Sequence, residues 1–221
     1  MEWGLLSSLS DDDRQQVISA ARRRSFERGE VLVHEGDPAD SLHLIDSGRV
    51  AVRVSTPAGE RATLNILSAG DYFGELSLVR RGGDRHRSAT VVALEPTETL
   101  VVSVGAFDDL CRRQPGFDQI LIAALARRVE QLSGRLLDAL YTGLDRRLYR
   151  CLLDLARVYG AEDGGDPTIP LTQEHLADLV GGTRPSVNQI LQRLSSQNIV
   201  ELQRGRVVIR DAAALRRKAA S

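Results

Sequence analysis

Between Ser25 and Val104 the apolar residues come only in short runs: VLV (31–33), LHLI (42–45), VAVRV (50–54), ATLNIL (62–67), ATVVAL (89–94) and TLVVSV (99–104). Turn-forming clusters separate them, at Glu35-Gly36-Asp37-Pro38, Ser47-Gly48, Pro57-Ala58-Gly59 and Ala69-Gly70-Asp71. Many short strands at close spacing, bounded by Gly, Pro and Asp, specify an antiparallel roll or barrel and exclude a βαβ sheet.

Helical patterns flank this region. Ser10 followed by Asp11, Asp12 and Asp13 predicts a helix start, with a serine cap and carboxylates at the positive end of the dipole. Pro115 opens a long helical stretch in which Leu121, Leu125, Val129, Leu132, Leu136 and Leu140 recur at near-heptad steps. One side of such a helix can pack on the roll while the seam meets a second copy; the alternative is an internal core helix. Thr142 and Asp145 have the spacing of a capping box, predicting a restart and a second helix to about Tyr159. Ala161 to Pro170, rich in Gly, Asp and Pro, reads as a loop, and the domain boundary falls near residues 141–144.

A chain of 221 residues is long enough for two modest domains. No apolar run approaches the ~18 residues of a membrane span, and Met1 is not followed by a basic and then apolar leader. The expected location is cytoplasmic, with no membrane partner. Cys111 and Cys151 stand apart from any Cys-x-x-Cys, which supports neither a disulfide framework nor an iron–sulfur site. His34, His43, His86 and His175 lack ligand spacing and read as surface or half-buried residues, so no metal is expected.

The net charge of −1 hides an asymmetry. Residues 171–221 hold eight of the 29 Lys/Arg and four of the 30 Asp/Glu, which leaves +4 there and −5 over residues 1–170. The basic end favours an anionic partner. Its sequence LTQEHLADLVGGTRPSVNQILQRLSSQNI predicts one helix burying Leu176, Leu179 and Val180, then a turn at Gly181-Gly182. A second helix follows, capped by Thr183, with Pro185 in its first turn and Val187, Ile190, Leu191 and Leu194 buried. Arg184, Ser186, Gln189, Gln192 and Arg193 then point outward, as in a helix-turn-helix that sets its second helix in a major groove. Val200 to Ile209 alternates around Arg204-Gly205-Arg206, a hairpin wing suited to phosphates.

In the roll, FGELSLVRRGGDRHRSATV (73–91) sets a bare backbone and one carboxylate (Gly74, Glu75, Leu76) against a guanidinium, hydroxyls and small residues (Arg87, Ser88, Ala89, Thr90). Such groups suit a ligand that is both a polyol and an anion.

With both ends read, nearly the whole chain resembles the CRP/FNR family of bacterial transcription regulators. Leu32-Val33-His34-Glu35-Gly36-Asp37 with Leu42 to Ile45 and Gly48 is similar to the family's first cyclic-nucleotide signature. Phe73 to Leu78 with Arg87 to Val91 is similar to its phosphate-binding cassette. The resemblance implies an α+β protein with three parts: a cyclic-nucleotide-binding β-roll over 1–114, a dimerisation helix and hinge over 115–143, and a winged helix-turn-helix over 144–221. It implies cyclic AMP as allosteric ligand, a double-stranded DNA operator, a homodimer and contact with RNA polymerase.

The resemblance assigns the ribose 2′-hydroxyl to Glu75, the cyclic phosphate to Arg87, further phosphate contacts to Ser88 and the amides near Gly74 and Ala89, and a base contact to Ser133. It departs in three places. The loop Val79 to His86 is longer than the family's and adds Arg80, Arg81 and Arg85. Leu132 stands where a threonine would precede Ser133. The recognition helix offers Arg184, Pro185 and Gln189, a set suited to a different half-site.

Two other functions fit less well. A same-family regulator with another effector, or none, retains the architecture, although the lack of a cysteine set disfavours haem or iron–sulfur sensing. A nucleotide-regulated enzyme would need a catalytic cluster past residue 115, and none is present there. The chain is therefore not expected to be an enzyme.

Overall fold

The computed structural model describes residues 3–7, 9–55, 61–79, 86–113, 117–160 and 166–220. By internal contacts the chain divides into two compact units, Met1–Glu130 and Gln131–Ser221.

The first unit opens with α1 (Asp11–Ala20), where the Ser10 hydroxyl accepts from the Asp13 N–H at 3.2 Å as the sequence predicts. The strands are β1 (Arg22–Phe26), β2 (Val31–Val33), β3 (Ser41–Ser47), β4 (Arg49–Ser55), β5 (Arg61–Ser68), β6 (Tyr72–Phe73), β7 (Thr90–Ala93) and β8 (Thr97–Ser103), with α2 (Leu76–Val79) between β6 and β7. They form two four-stranded sheets, β1-β8-β3-β6 and β2-β7-β4-β5, with every pairing antiparallel. All six apolar runs of the sequence are strands.

A core of Phe26, Leu32, Ile45, Val50, Val52, Leu67, Phe73, Val91 and Ala93 draws on both sheets. A second core joins Leu42, Leu44, Leu100 and Val102 to the helices α1 and α3 (Val104–Arg113) and to the first turns of α4 (Phe117–Tyr141) through Ile120 and Ala124. At the β3–β4 turn Gly48 has φ +83°, and a Cβ there would lie 2.4 Å from the Pro96 carbonyl oxygen, so the turn requires glycine.

Two strands and the helices α2 and α3 of this unit escape sequence patterning. β1 reads Arg-Arg-Arg-Ser-Phe and buries only Phe26, as an edge strand can. Arg23 is held by Asp46 and Glu98, and Arg24 lies 5.0 Å over the Phe26 ring. β6 is two residues long and exists through its pairing with β3. α3 lies directly after β8, so Val104 closes an apolar run and opens a helix.

α4 has one face on the roll, where Ile120 and Ala124 are buried. Leu121 and Leu125 of the seam are half-buried. Val129 (63% exposed), Leu132 (52%), Leu136 (60%) and Leu140 (64%) are uncovered, so α4 is not an internal core helix past residue 125.

The second unit comprises α5 (Leu144–Tyr159), β9 (Thr168–Ile169), α6 (Gln173–Val180), α7 (Arg184–Ser196), β10 (Val200–Gln203), β11 (Arg206–Ile209) and α8 (Ala212–Ala220), with the sheet order β10-β11-β9. The expected capping box at Thr142 does not form: Gly143 is the N-cap and makes no side-chain cap bond. The Thr142 hydroxyl turns back to Asp138 at 3.0 Å, while Asp145 accepts from the Arg146 N–H at 2.9 Å. α6 buries Ala177 alongside Leu176 and Val180, and Leu179 is only half-buried. Pro115, the turn at Pro57-Ala58-Gly59 and residues 161–165 of the expected loop lie outside the described residues.

Candidate functional site

The cassette begins where β6 ends. Gly74 has φ +89°, and a Cβ on it would lie 2.5 Å from Arg87 Nη1 and 2.6 Å from the Ser41 carbonyl oxygen. Only glycine lets the arginine pass so close beneath the chain. Past it, the Leu78 N–H donates to the Glu75 carbonyl at 3.0 Å and starts α2. The Glu75 carboxylate is half-buried and has no hydrogen-bond or ion-pair partner among the described residues. Leu76 is 36% exposed and brings backbone rather than a packed side chain.

Arg87 is fixed at both its backbone and its head. Its N–H donates to the Asp37 carbonyl at 2.8 Å, and its carbonyl accepts from the Gly36 N–H at 2.9 Å. The first signature motif is thus clamped against the cassette arginine. The guanidinium is only 7% exposed; Nη1 donates to the Ser41 carbonyl at 2.7 Å and Nη2 to the Ser41 hydroxyl at 2.8 Å. Asp40 lies 3.6 Å away with its side chain 85% exposed, so its charge is largely screened by water.

Burial lowers the Arg87 pKa, and Asp40, Asp37 and Glu75 counter this only in part. The guanidinium stays protonated. It is a buried cation whose charge partners among the described residues are Asp40, Asp37 and Glu75. Ser88 is exposed and Ala89 half-buried beside it. The Thr90 hydroxyl is already engaged, accepting from the Glu35 N–H at 3.0 Å. Arg80, Arg81 and Arg85 lie outside the described residues, and Ser133 is exposed on α4 in the second unit.

One residue of this site is missed by the sequence reading. His43, read there as surface or half-buried, is 1% exposed. Its ring stacks on Phe73 with centroids 4.6 Å apart, and Nδ1 lies 3.2 Å from Thr99 Oγ1. Burial first, and Arg87 second, push its pKa down to about 3. Its place inside the apolar run LHLI was the available signal, since a strand covered on both faces buries every position.

In the second unit, the Thr172 hydroxyl caps α6 by accepting from the His175 N–H at 3.2 Å. Gly181 ends α6 in the left-handed region at φ +61°. Thr183 caps α7 by accepting from the Ser186 N–H at 3.4 Å, and its hydroxyl lies 2.9 Å from that of Ser186. With Val187, Ile190, Leu191 and Leu194 buried, α7 leaves Arg184, Gln189, Gln192 and Arg193 exposed and Ser186 half-exposed. In the wing, Arg204 and Arg206 are exposed; Arg206 donates to the Gln203 side chain, which donates to Glu201 at 2.6 Å, itself held by Arg210. These exposed donors stand on a two-helix frame, the arrangement by which such a pair reads base edges and phosphates.

Residues 23–114 match the family model of the cyclic nucleotide-binding domain, and residues 146–218 match that of the Crp-like helix-turn-helix domain. The chain is 35% identical over 198 residues to a CRP-like cAMP-activated global transcriptional regulator of Mycobacterium tuberculosis, covering 88% of this chain and 86% of that one. It is 32% identical over 211 residues to the cyclic AMP receptor protein of Thermus thermophilus, covering 96% and 94%. Among solved structures it is similar to the catabolite activator protein of Thermus thermophilus, at 31% identity over 98% of both chains with a TM-score of 0.56.

The buried His43 generates a prediction for acid stability. The folded chain keeps it neutral down to about pH 3, whereas the unfolded chain protonates it near its ordinary value of 6.5. Within that window the unfolded state binds the extra proton, so stability falls as pH falls. Trp3 is the chain's one tryptophan and is buried, with Nε1 donating to the Ile45 carbonyl at 2.8 Å, so its fluorescence reports the first unit. In urea melts followed this way, wild type should lose about 2–3 kcal/mol more than His43→Phe between pH 6.5 and 4.5. Equal losses would show that His43 does not carry the effect.

Proposed function

The chain belongs to the CRP/FNR family of transcription regulators, with a cyclic nucleotide-binding domain and a helix-turn-helix domain, and we propose that it is a homodimer that binds a specific DNA operator under the control of cyclic AMP. One observation supports the ligand above all: the buried guanidinium of Arg87 lies beneath the same Gly74 turn that presents the carboxylate of Glu75, which has no hydrogen-bond or ion-pair partner among the described residues. A cyclic ribose phosphate offers an anion to the first and a hydroxyl to the second. Gly74, Leu76, Ser88 and Ala89 line this grip, and Ser133 provides the base contact.

In this scheme residues 1–114 sense the nucleotide, 115–143 form the dimer helix and hinge, and 144–221 bind DNA. Ligand bound between roll and dimer helix favours the arrangement in which two copies of α7 stand about 34 Å apart, one turn of DNA. Thr183, Arg184, Ser186, Gln189, Gln192 and Arg193 then face the major groove, and Arg204 and Arg206 meet phosphates. RNA polymerase is the proposed partner at the promoter. A second reading, the same architecture with a different effector, draws on Leu132: a hydrocarbon side chain next to Ser133 can neither donate nor accept toward a base.

Titrating nucleotide-free protein with cyclic AMP and cyclic GMP tests the ligand. Glu75→Ala and Arg87→Leu should each weaken binding on the order of 10- to 100-fold, because each removes one partner of a charged hydrogen bond. Discrimination between adenine and guanine should be small. Unchanged affinity in Arg87→Leu would move the phosphate to other arginines, and no binding to wild type at millimolar nucleotide would remove cyclic nucleotides as effectors.

The α4 stripe tests the dimer. Val129→Asp or Leu132→Asp should give monomers in sedimentation that no longer bind the operator, since burying an unpaired carboxylate costs several kcal/mol. An intact dimer would place the interface elsewhere.

For DNA, Arg184→Ala should lose about 1–3 kcal/mol of discrimination at one position of each half-site. Arg206→Ala should weaken all sequences alike and flatten the salt dependence. If Arg184→Ala weakens random DNA as much as selected sites, Arg184 is a phosphate contact.

A further inference from the structure

β3 buries Ser41 and His43 to 8% and 1% exposure, as deeply as its apolar neighbours. Polar side chains reach such depth when something holds them there. Two residues apart on one strand, they stand on the same face of the sheet. Ser41 presents its carbonyl and hydroxyl to Arg87 at 2.7 and 2.8 Å. His43 lies in register with Phe73 across the β3–β6 pair, stacked on its ring at an interplanar angle of 15° and tied to Thr99 on the other side. Only Gly74 separates Phe73 from Glu75, so the strand that the His43 pairing and stack hold at Phe73 ends one residue before the residue that bears the carboxylate.

We propose that Ser41 and His43 are positioning residues, each serving one half of the nucleotide grip. Ser41 sets the guanidinium that meets the phosphate. His43, through Phe73, sets the carboxylate that meets the ribose 2′-hydroxyl. The inference rests on the cyclic-nucleotide reading above and assigns each half of it a separate support. Neither support touches the ligand: Ser41 acts through Arg87, and His43 acts through the Phe73–Gly74–Glu75 backbone.

Calorimetric titration of the full chain with cyclic AMP and with 2′-deoxy cyclic AMP separates the halves, because the deoxy ligand lacks the hydroxyl that Glu75 accepts from. Wild type should prefer cyclic AMP by about tenfold or more. His43→Leu should weaken cyclic AMP about tenfold while leaving the deoxy ligand within about twofold. His43→Gln keeps a partner for Thr99 but has no ring to lay on Phe73; it should behave as the leucine variant and carries the test if that variant does not fold. His43→Phe keeps a flat ring and should restore most of the preference. Ser41→Ala should weaken both ligands by the same factor and leave their ratio unchanged.

A His43 variant that weakens both ligands equally would overturn the assignment of His43. A Ser41→Ala protein with an altered ratio would overturn that of Ser41. Wild type that binds both ligands without preference would show that the 2′-hydroxyl is not gripped, and the division of labour falls. Wild type that binds neither ligand would reject the cyclic-nucleotide reading itself, and this inference with it.

Discussion

The hold of Arg87 on Ser41 is the contact around which the first unit's site is arranged. Ser41 opens β3 in one sheet, and Arg87 stands just before β7 in the other, so two hydrogen bonds of 2.7 and 2.8 Å tie the sheets together at the cassette. Burying a guanidinium is costly unless its donors are met. Ser41 meets two of them, and among the described residues Asp40, Asp37 and Glu75 supply the opposing charge. The need for glycine at position 74 follows from this, because Arg87 and the Ser41 carbonyl occupy the space of any Cβ. So does the fixed turn at Gly36 and Asp37, which holds the arginine's backbone from the other side.

The architecture was legible where one physical signal dominated. Each interior strand carried an apolar run that had to be buried, and the α1 and α7 starts each carried a capping hydroxyl. The wing was legible because Gly205, at φ +75°, marks a two-residue turn between alternating strands. What escaped depended on neighbours distant in sequence. β1 is a strand although it carries three arginines, because its partner β8 supplies Glu98 and an edge for pairing. The Thr142 capping box had the right spacing, yet Asp138, one turn earlier, offered the hydroxyl an acceptor and Gly143 became the cap.

The site was legible as a set of residues but not as a geometry. Sequence placed Gly74, Glu75 and Arg87 on one ligand, and the structure does bring Gly74 and Arg87 into contact. Two features escaped the sequence reading. The Thr90 hydroxyl is taken by the Glu35 backbone, which depends on how the turn at Glu35 folds against β7. His43 was misjudged because a lone histidine reads as polar surface; its burial comes from covering both faces of β3, a property of the assembled sheets rather than of the residue.

The proposed switch has its own constraint. A ligand shifts an equilibrium only through contacts that differ between the two states. Arg87 and Gly74 are held by Ser41, Asp37 and Gly36, none of which lies on α4. In the proposed scheme, phosphate contacts built on this frame supply affinity without direction. In the proposed scheme the directional contact comes from the uncovered stretch of α4, where Val129, Leu132, Leu136 and Leu140 are exposed and Ser133 is the hydroxyl assigned to the base. With a leucine at 132, that contact reduces to one neutral hydrogen bond of about 1 kcal/mol, equivalent to roughly a fivefold bias. A shift that small leaves the stripe itself, by how well two copies bury it, to set most of the balance between the states. In the proposed scheme the ligand then tunes an equilibrium whose starting point the apolar seam of α4 determines.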